Sequence, residues 1–167
     1  ITSSNGQMLQ TSSTAPTAAV SSVNSICVGQ PVALSDASTG GPTSWEWTMI
    51  GGTPSSASFQ NTSVTYTAAG VYTVSLMVAN ATGSNTAVST ITVLANPLIN
   101  VTSAQAQICA GESATLTASG ASTYTWSPAA TLSSSNGNVV VANPTVTTSY
   151  NIVGNNGTCN GNGMYTL

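Results

Sequence analysis

The side chains able to do chemistry are few. The 167 residues hold three acids, Asp36, Glu46 and Glu112, three cysteines, Cys27, Cys109 and Cys159, and no Lys, Arg or His. Two carboxylates flanking a sugar linkage can hydrolyse it. Only Asp36 and Glu46 share one half of the chain, and no basic residue is present to tune them. The inventory also lacks an imidazole base, an amine nucleophile and a guanidinium clamp. A Ca²⁺ site wants about six to eight oxygens, several from carboxylates, and zinc would need more cysteines or a histidine. Asp36, within Ser35-Asp36-Ala37-Ser38, reads as the organiser of a turn. We therefore expect no enzyme, no metal site and no cofactor.

The missing charge excludes partners too. An ordinary domain is about 25% charged, whereas this one is 2% charged with a net charge of −3. Without Lys or Arg the chain cannot grip a phosphate backbone, so nucleic acid is excluded. Anionic membrane surfaces, which attract polybasic segments, are disfavoured on the same ground. No run approaches the length of apolar residues that spans a bilayer, so direct membrane insertion is not expected. The first residues carry no basic region, and no signal peptide is expected in them.

Aromatic residues are the remaining candidates. Trp45 and Trp47 stand two apart, so on a strand they share one face. Such a pair serves either a buried core or an exposed sugar-binding platform. No further aromatic cluster exists to extend a platform, because Trp126 is the only other Trp and Phe59 the only Phe. Core packing is the expected role, shared with Tyr72, Tyr124, Trp126 and Tyr150.

The elements that must position these residues come in two copies. Ile26-Cys27-Val28-Gly29-Gln30-Pro31-Val32-Ala33-Leu34 matches Ile108-Cys109-Ala110-Gly111-Glu112-Ser113-Ala114-Thr115-Leu116. Trp45-Glu46-Trp47 is followed in the second copy by Tyr124-Thr125-Trp126, and Tyr72 by Tyr150. Three landmarks in one order indicate a duplication. The boundary is placed near Ala95-Asn96-Pro97, giving a lead at 1–15 and domains at 16–96 and 97–167.

Each copy reads as antiparallel β-structure. The 26 Ser and 27 Thr raise the alternative of a disordered linker. Hydrophobic content of 41% argues against it, because Val, Ile, Leu and aromatics cluster in strand-sized groups. Alternation runs through 71–78 and 87–94. Glycine- and asparagine-rich turns punctuate it at Gly40-Gly41-Pro42, Gly51-Gly52, Thr82-Gly83-Ser84-Asn85 and Asn155-Asn156-Gly157. About seven short strands per copy fit an immunoglobulin-like sandwich, whose strand C buries a Trp. The predicted fold is all-β, two tandem immunoglobulin-like β-sandwiches.

In that fold Cys27 and Cys109 fall in the A–B turns of their copies and Cys159 in the second F–G turn. Those turns lie at opposite ends of a sandwich, about 20 Å apart for a six-residue strand. A disulfide needs Cα atoms within about 7 Å, which disfavours Cys109–Cys159. The expectation is Cys27–Cys159 across the junction, with the partner of Cys109 outside this segment. Small buried thiols are the alternative. Disulfide use suggests an extracytoplasmic compartment.

Several segments also resemble a known family. Trp45-Glu46-Trp47, Gly51-Gly52-Thr53-Pro54, Val64-Thr65-Tyr66, Ala69-Gly70-Val71-Tyr72-Thr73-Val74 and Val78-Ala79-Asn80-Ala81-Thr82-Gly83-Ser84-Asn85 resemble a PKD domain. The stretch from Ile108-Cys109-Ala110-Gly111 to Asn143-Pro144-Thr145 is similar to a related Ig-like repeat. The resemblance implies tandem repeats of very large Bacteroidetes surface proteins, including gliding adhesins exported by type IX secretion. One departure is plain: Gly51-Gly52 lacks the Asp of the common Gly-Asp-Gly, so no role of that Asp is carried over.

Four Asn-x-Ser/Thr sites begin at Asn61, Asn80, Asn100 and Asn156, matches that an Asn- and Thr-rich chain produces by chance. Sheet edges need Lys, Pro or bulges against sideways pairing, and this chain has no Lys. The reading is a non-catalytic extracellular repeat of a large surface adhesin or filament, a spacer and assembly domain at the cell surface. Its expected partners are neighbouring repeats, its own copies through sheet edges, and a surface or glycan ligand. The alternative is an accessory module that positions a secreted enzyme on polysaccharide.

Overall fold

The computed structural model describes residues 14–167. The lead expected at 1–15 lies outside the described residues except for Thr14 and Ala15, and the Thr14 carbonyl already accepts a hydrogen bond from Asn80. Every regular element described is a strand. Two compact units divide the chain, the first ending at Val93 and the second starting at Leu94.

The first unit contains β1 (Val20–Ser22), β2 (Ser25–Cys27), β3 (Pro31–Asp36), β4 (Ser44–Met49), β5 (Ser56–Ala57), β6 (Asn61–Thr65), β7 (Gly70–Asn80) and β8 (Gly83–Leu94). They form two sheets, β1-β3-β6 and β2-β8-β7-β4-β5. Period-2 alternation sends Val32 and Leu34 of β3, Trp47 and Met49 of β4, and Val74, Leu76 and Val78 of β7 into one core. The β7–β8 hairpin pairs continuously from Gly70↔Val93 to Asn80↔Gly83. Asn80 locks its turn by accepting from the Thr82 N–H at 2.9 Å and donating to the carbonyls of Thr14 and Gly40 at 2.9 and 2.8 Å. A glycosylation-type asparagine is thereby committed to structure.

The second unit contains β9 (Asn100–Ser103), β10 (Ala114–Ser119), β11 (Thr123–Ser127), β12 (Val139–Ala142), β13 (Ser149–Asn155) and β14 (Asn160–Thr166). Its sheets are β12-β10-β9 and β11-β13-β14. Among the described residues it has nothing equivalent to β2, so its strand total falls below the first unit's.

The two units share local geometry at matching positions. Gln30 N–H donates to the Cys27 carbonyl and Glu112 N–H to the Cys109 carbonyl, both at 3.0 Å. Gly29 and Gly111 sit at the third position of these turns with φ of +82° in each, a conformation open to glycine. Trp47 donates its indole N–H to the Phe59 carbonyl at 2.9 Å, and Trp126 donates its own to Gly137 at 2.8 Å. The third landmark is offset. Trp47 pairs with Leu76 and Trp126 with Ile152, so Tyr150 occupies the place of Val74, and Tyr72 corresponds to Thr148.

Candidate functional site

Three glycines make the second core possible. Gly154, Gly161 and Gly163 line the inner face of β13 and β14, where Ile99 and Pro97 cross at close range. A Cβ at Gly163 would lie 2.8 Å from Ile99 Cγ2, one at Gly154 would overlap Ile99 Cδ1, and one at Gly161 would overlap the Pro97 carbonyl oxygen. Ile99 is buried there beside Leu116, Trp126, Val140, Tyr150 and Ile152.

The aromatic candidates divide by depth. Trp47, Trp126 and Tyr150 are fully buried and Tyr124 nearly so. Trp45 and Tyr72 are half-buried and pack against the edge of the first core. Tyr124 keeps its hydroxyl on Ala121, donating to the carbonyl at 2.7 Å and accepting from the N–H at 2.8 Å. Tyr72 donates to the Ala68 carbonyl at 3.0 Å, four residues upstream, in the manner of a tyrosine corner. Sequence reasoning missed Tyr66. Its ring is buried and stacks on Tyr72 with centroids 4.0 Å apart, while its hydroxyl has no hydrogen-bond partner. Burial, reinforced by Tyr72, raises the titration of this phenol. The two-residue spacing of Val64 and Tyr66, both inward, was the available signal.

The acids do not form a catalytic pair. Asp36 ends β3, where its Oδ1 accepts the Ser38 N–H at 2.9 Å and its Oδ2 accepts the Trp45 indole N–H at 2.7 Å and the Gln60 amide at 3.4 Å. Partial burial pushes its titration up, but the bonds from Ser38, Trp45 and Gln60 outweigh burial and hold it below the ordinary value. Glu46 leaves β4 on the face opposite Trp45, level with Met77. Glu112 accepts the Cys109 N–H at 3.2 Å and braces its own turn. No cluster of three or more potential metal ligands occurs among the described residues.

The cysteines border turns. Cys27 closes β2. Cys159 is buried in the β13–β14 turn, where Asn156 Oδ1 accepts its N–H at 2.8 Å. Both are disulfide-bonded, whereas Cys109 is an exposed free thiol. A groove of about 730 Å³ lies on the first unit, bordered by Trp45, Glu46, Phe59, Thr62 and Met77. Phe59 is 73% exposed at its rim.

Comparison with known proteins agrees with this architecture. Residues 13–95 match the PKD domain family. No curated protein matches the chain. Among solved structures, the N-terminal eight Ig domains of Down Syndrome Cell Adhesion Molecule align over 92% of this chain and 27% of theirs, with 14% identity and a TM-score of 0.53. The titin Z1Z2 domains, solved with telethonin, align over 93% of this chain and 96% of theirs, with 16% identity and a TM-score of 0.43. At these identities the likeness concerns fold. The chain is all-β with an Ig-like fold, and its first unit is similar to the PKD domain family. No helix among the described residues is long and apolar enough to cross a membrane.

Proposed function

We propose that this PKD/Ig-like repeat is an extracellular spacer and assembly module of a large bacterial surface protein, an adhesin or filament of the type IX secreted kind. The observation that carries the reading is the placement of the two disulfide-bonded cysteines. Cys27 lies on the strand that flanks β8, whose neighbouring Thr92 N–H donates to the Asn24 carbonyl. Cys159 precedes Gly161, which packs on Pro97 at the start of the second unit. A Cys27–Cys159 bond would staple successive repeats, and Cys109 would serve the next junction. Such bonds belong to oxidising compartments.

The chain offers its own test of connectivity. A glutamate-specific protease cuts only after Glu46 and Glu112, which puts each cysteine on a separate fragment. Without reductant, residues 1–46 should remain joined to 113–167, with 47–112 released. Release of 1–46 with 47–112 bound to 113–167 would mean Cys109–Cys159 and end the staple. The wider reading is tested by electron microscopy of the parent protein as it leaves the cell. Beaded strands or ordered filaments are expected, and a compact particle would count against it.

A second reading, a polysaccharide-positioning module, draws on the groove beside Trp45. Exposed Phe59 could stack on a sugar, with Glu46 and Thr62 accepting its hydroxyls. Pull-down on insoluble polysaccharides should then weaken on Phe59→Ala, and equal retention of both proteins would remove this reading.

A further inference from the structure

The two units differ in how they finish the sheet that holds their last strand. In the first, the three-residue β2 lies alongside β8 near Thr92 and covers that part of its outer edge. By the sequence repeat, the corresponding stretch of the second unit is Gln107–Cys109, which forms no strand. β14 is consequently the terminal strand of β11-β13-β14.

The hydrogen-bond parity identifies which groups this leaves open. Thr148 and Leu167 exchange both backbone bonds, at 2.8 and 3.0 Å, and the Asn156 N–H donates to Cys159 at the other end of the hairpin. In the register between these points, Tyr150↔Tyr165, Ile152↔Gly163 and Gly154↔Gly161 are the bonded pairs. The N–H and C=O groups of Asn160, Asn162, Met164 and Thr166 therefore point away from β13. No described residue bonds to them.

The other terminal strands are shorter or covered. β1, β2, β5, β6 and β9 have 3, 3, 2, 5 and 4 residues against 7 in β14. The edge of β11 is occupied by Ser135 and Gly137, and that of β12 by Ser133. β14 contains none of the devices that discourage pairing: no Lys, no Pro and no charge, with Met164 68% exposed beside the open groups.

We propose that the open edge of β14 pairs antiparallel with β14 of a second copy of this chain. The sequence of the edge is self-complementary. A two-fold axis at Gly163 sets Asn160 against Thr166 and Asn162 against Met164, so every outward-facing residue meets an outward-facing residue. Each such pair exchanges two backbone bonds. The edges are uncharged, so two copies approach without repulsion, and an isologous contact closes as a dimer. The inference deepens the assembly half of the reading above by naming its surface, and rests on it only there.

The test is sedimentation of the full chain over a concentration series, with amide exchange followed by NMR. A dimer is expected in which Asn160, Asn162, Met164 and Thr166 gain protection as concentration rises. Gly161, Gly163 and Tyr165, already bonded to β13, should be protected throughout. Asn162→Pro removes an outward N–H from each copy, and Met164→Lys adds a charge on the solvent face. Each should weaken dimerisation by about tenfold or more while the monomer's protection pattern stays native. Three results would each overturn the proposal: a monomer at all concentrations, protection gained on another edge, or a dimer indifferent to both variants. An all-monomer result would leave the spacer reading standing, because that reading is decided by disulfide mapping and microscopy.

Discussion

Tyr66 and Asp36 show two opposite fates of a polar group at the edge of a core. The Tyr66 hydroxyl is buried without a partner, and a group so placed costs about 1–3 kcal/mol. Tyr66→Phe keeps the ring and its stack on Tyr72 but removes that cost. The variant should match or exceed the parent by up to about 1 kcal/mol in urea unfolding, provided the phenol gains nothing elsewhere. Asp36, by contrast, is well supplied with donors, and its titration lies below the ordinary 3.8. A carboxyl lowered by folding stabilises the native state above its unfolded value, and that contribution is lost as pH falls through the folded value. Asp36→Ala should therefore lower the melting temperature at neutral pH, and the gap to the parent should narrow in acid below the unfolded value. A gap independent of pH would mean the carboxylate charge is not what binds Trp45. Trp126→Ala empties the centre of the second core and should cost about 3–5 kcal/mol.

At the scale of elements, glycine in β13 and β14 has a packing reason. A side chain at Gly154 or Gly163 would run into Ile99, and overpacking of this kind costs about 1–3 kcal/mol. Gly163→Ala should destabilise by that amount in chemical denaturation. Gly154→Ala, whose Cβ would meet Ile99 Cδ1, should cost less on an Ile99→Val background, since contacting residues are not additive. The Asn160-Gly161-Asn162-Gly163 stretch reads locally as turn or linker. Only pairing with β13 and the crossing of Ile99 make it a strand. The paired Trp45/Trp47 and Tyr124/Trp126 spacings were legible because alternation on a strand is a local property. Their depth was not, because Trp45 lies at a sheet margin that depends on where β3 ends.

Across the whole molecule, the consequence of composition is indifference to salt. Without a cation in the chain no ion pair can form, so sodium chloride has few attractive interactions to screen. The unfolding midpoint should move little between low and moderate sodium chloride, and a large loss of stability would contradict this account. Trypsin should leave the chain intact even in denaturant, because it has no Lys or Arg to cleave after.

Composition and period alone pointed to an all-β chain of two similar halves with only three charged side chains. Those properties follow from residue type and from spacings of two to a few residues, which act locally. Tertiary structure decided the rest. It set Tyr150 at the place of Val74, gave the Trp45 indole to Asp36, seated Ile99 and Pro97 on three glycines and left β14 as an open edge. Each of these depends on which strands lie side by side and in what register. Pairing is a choice among residues far apart in the chain, made by burial of the whole core, and no local pattern encodes it.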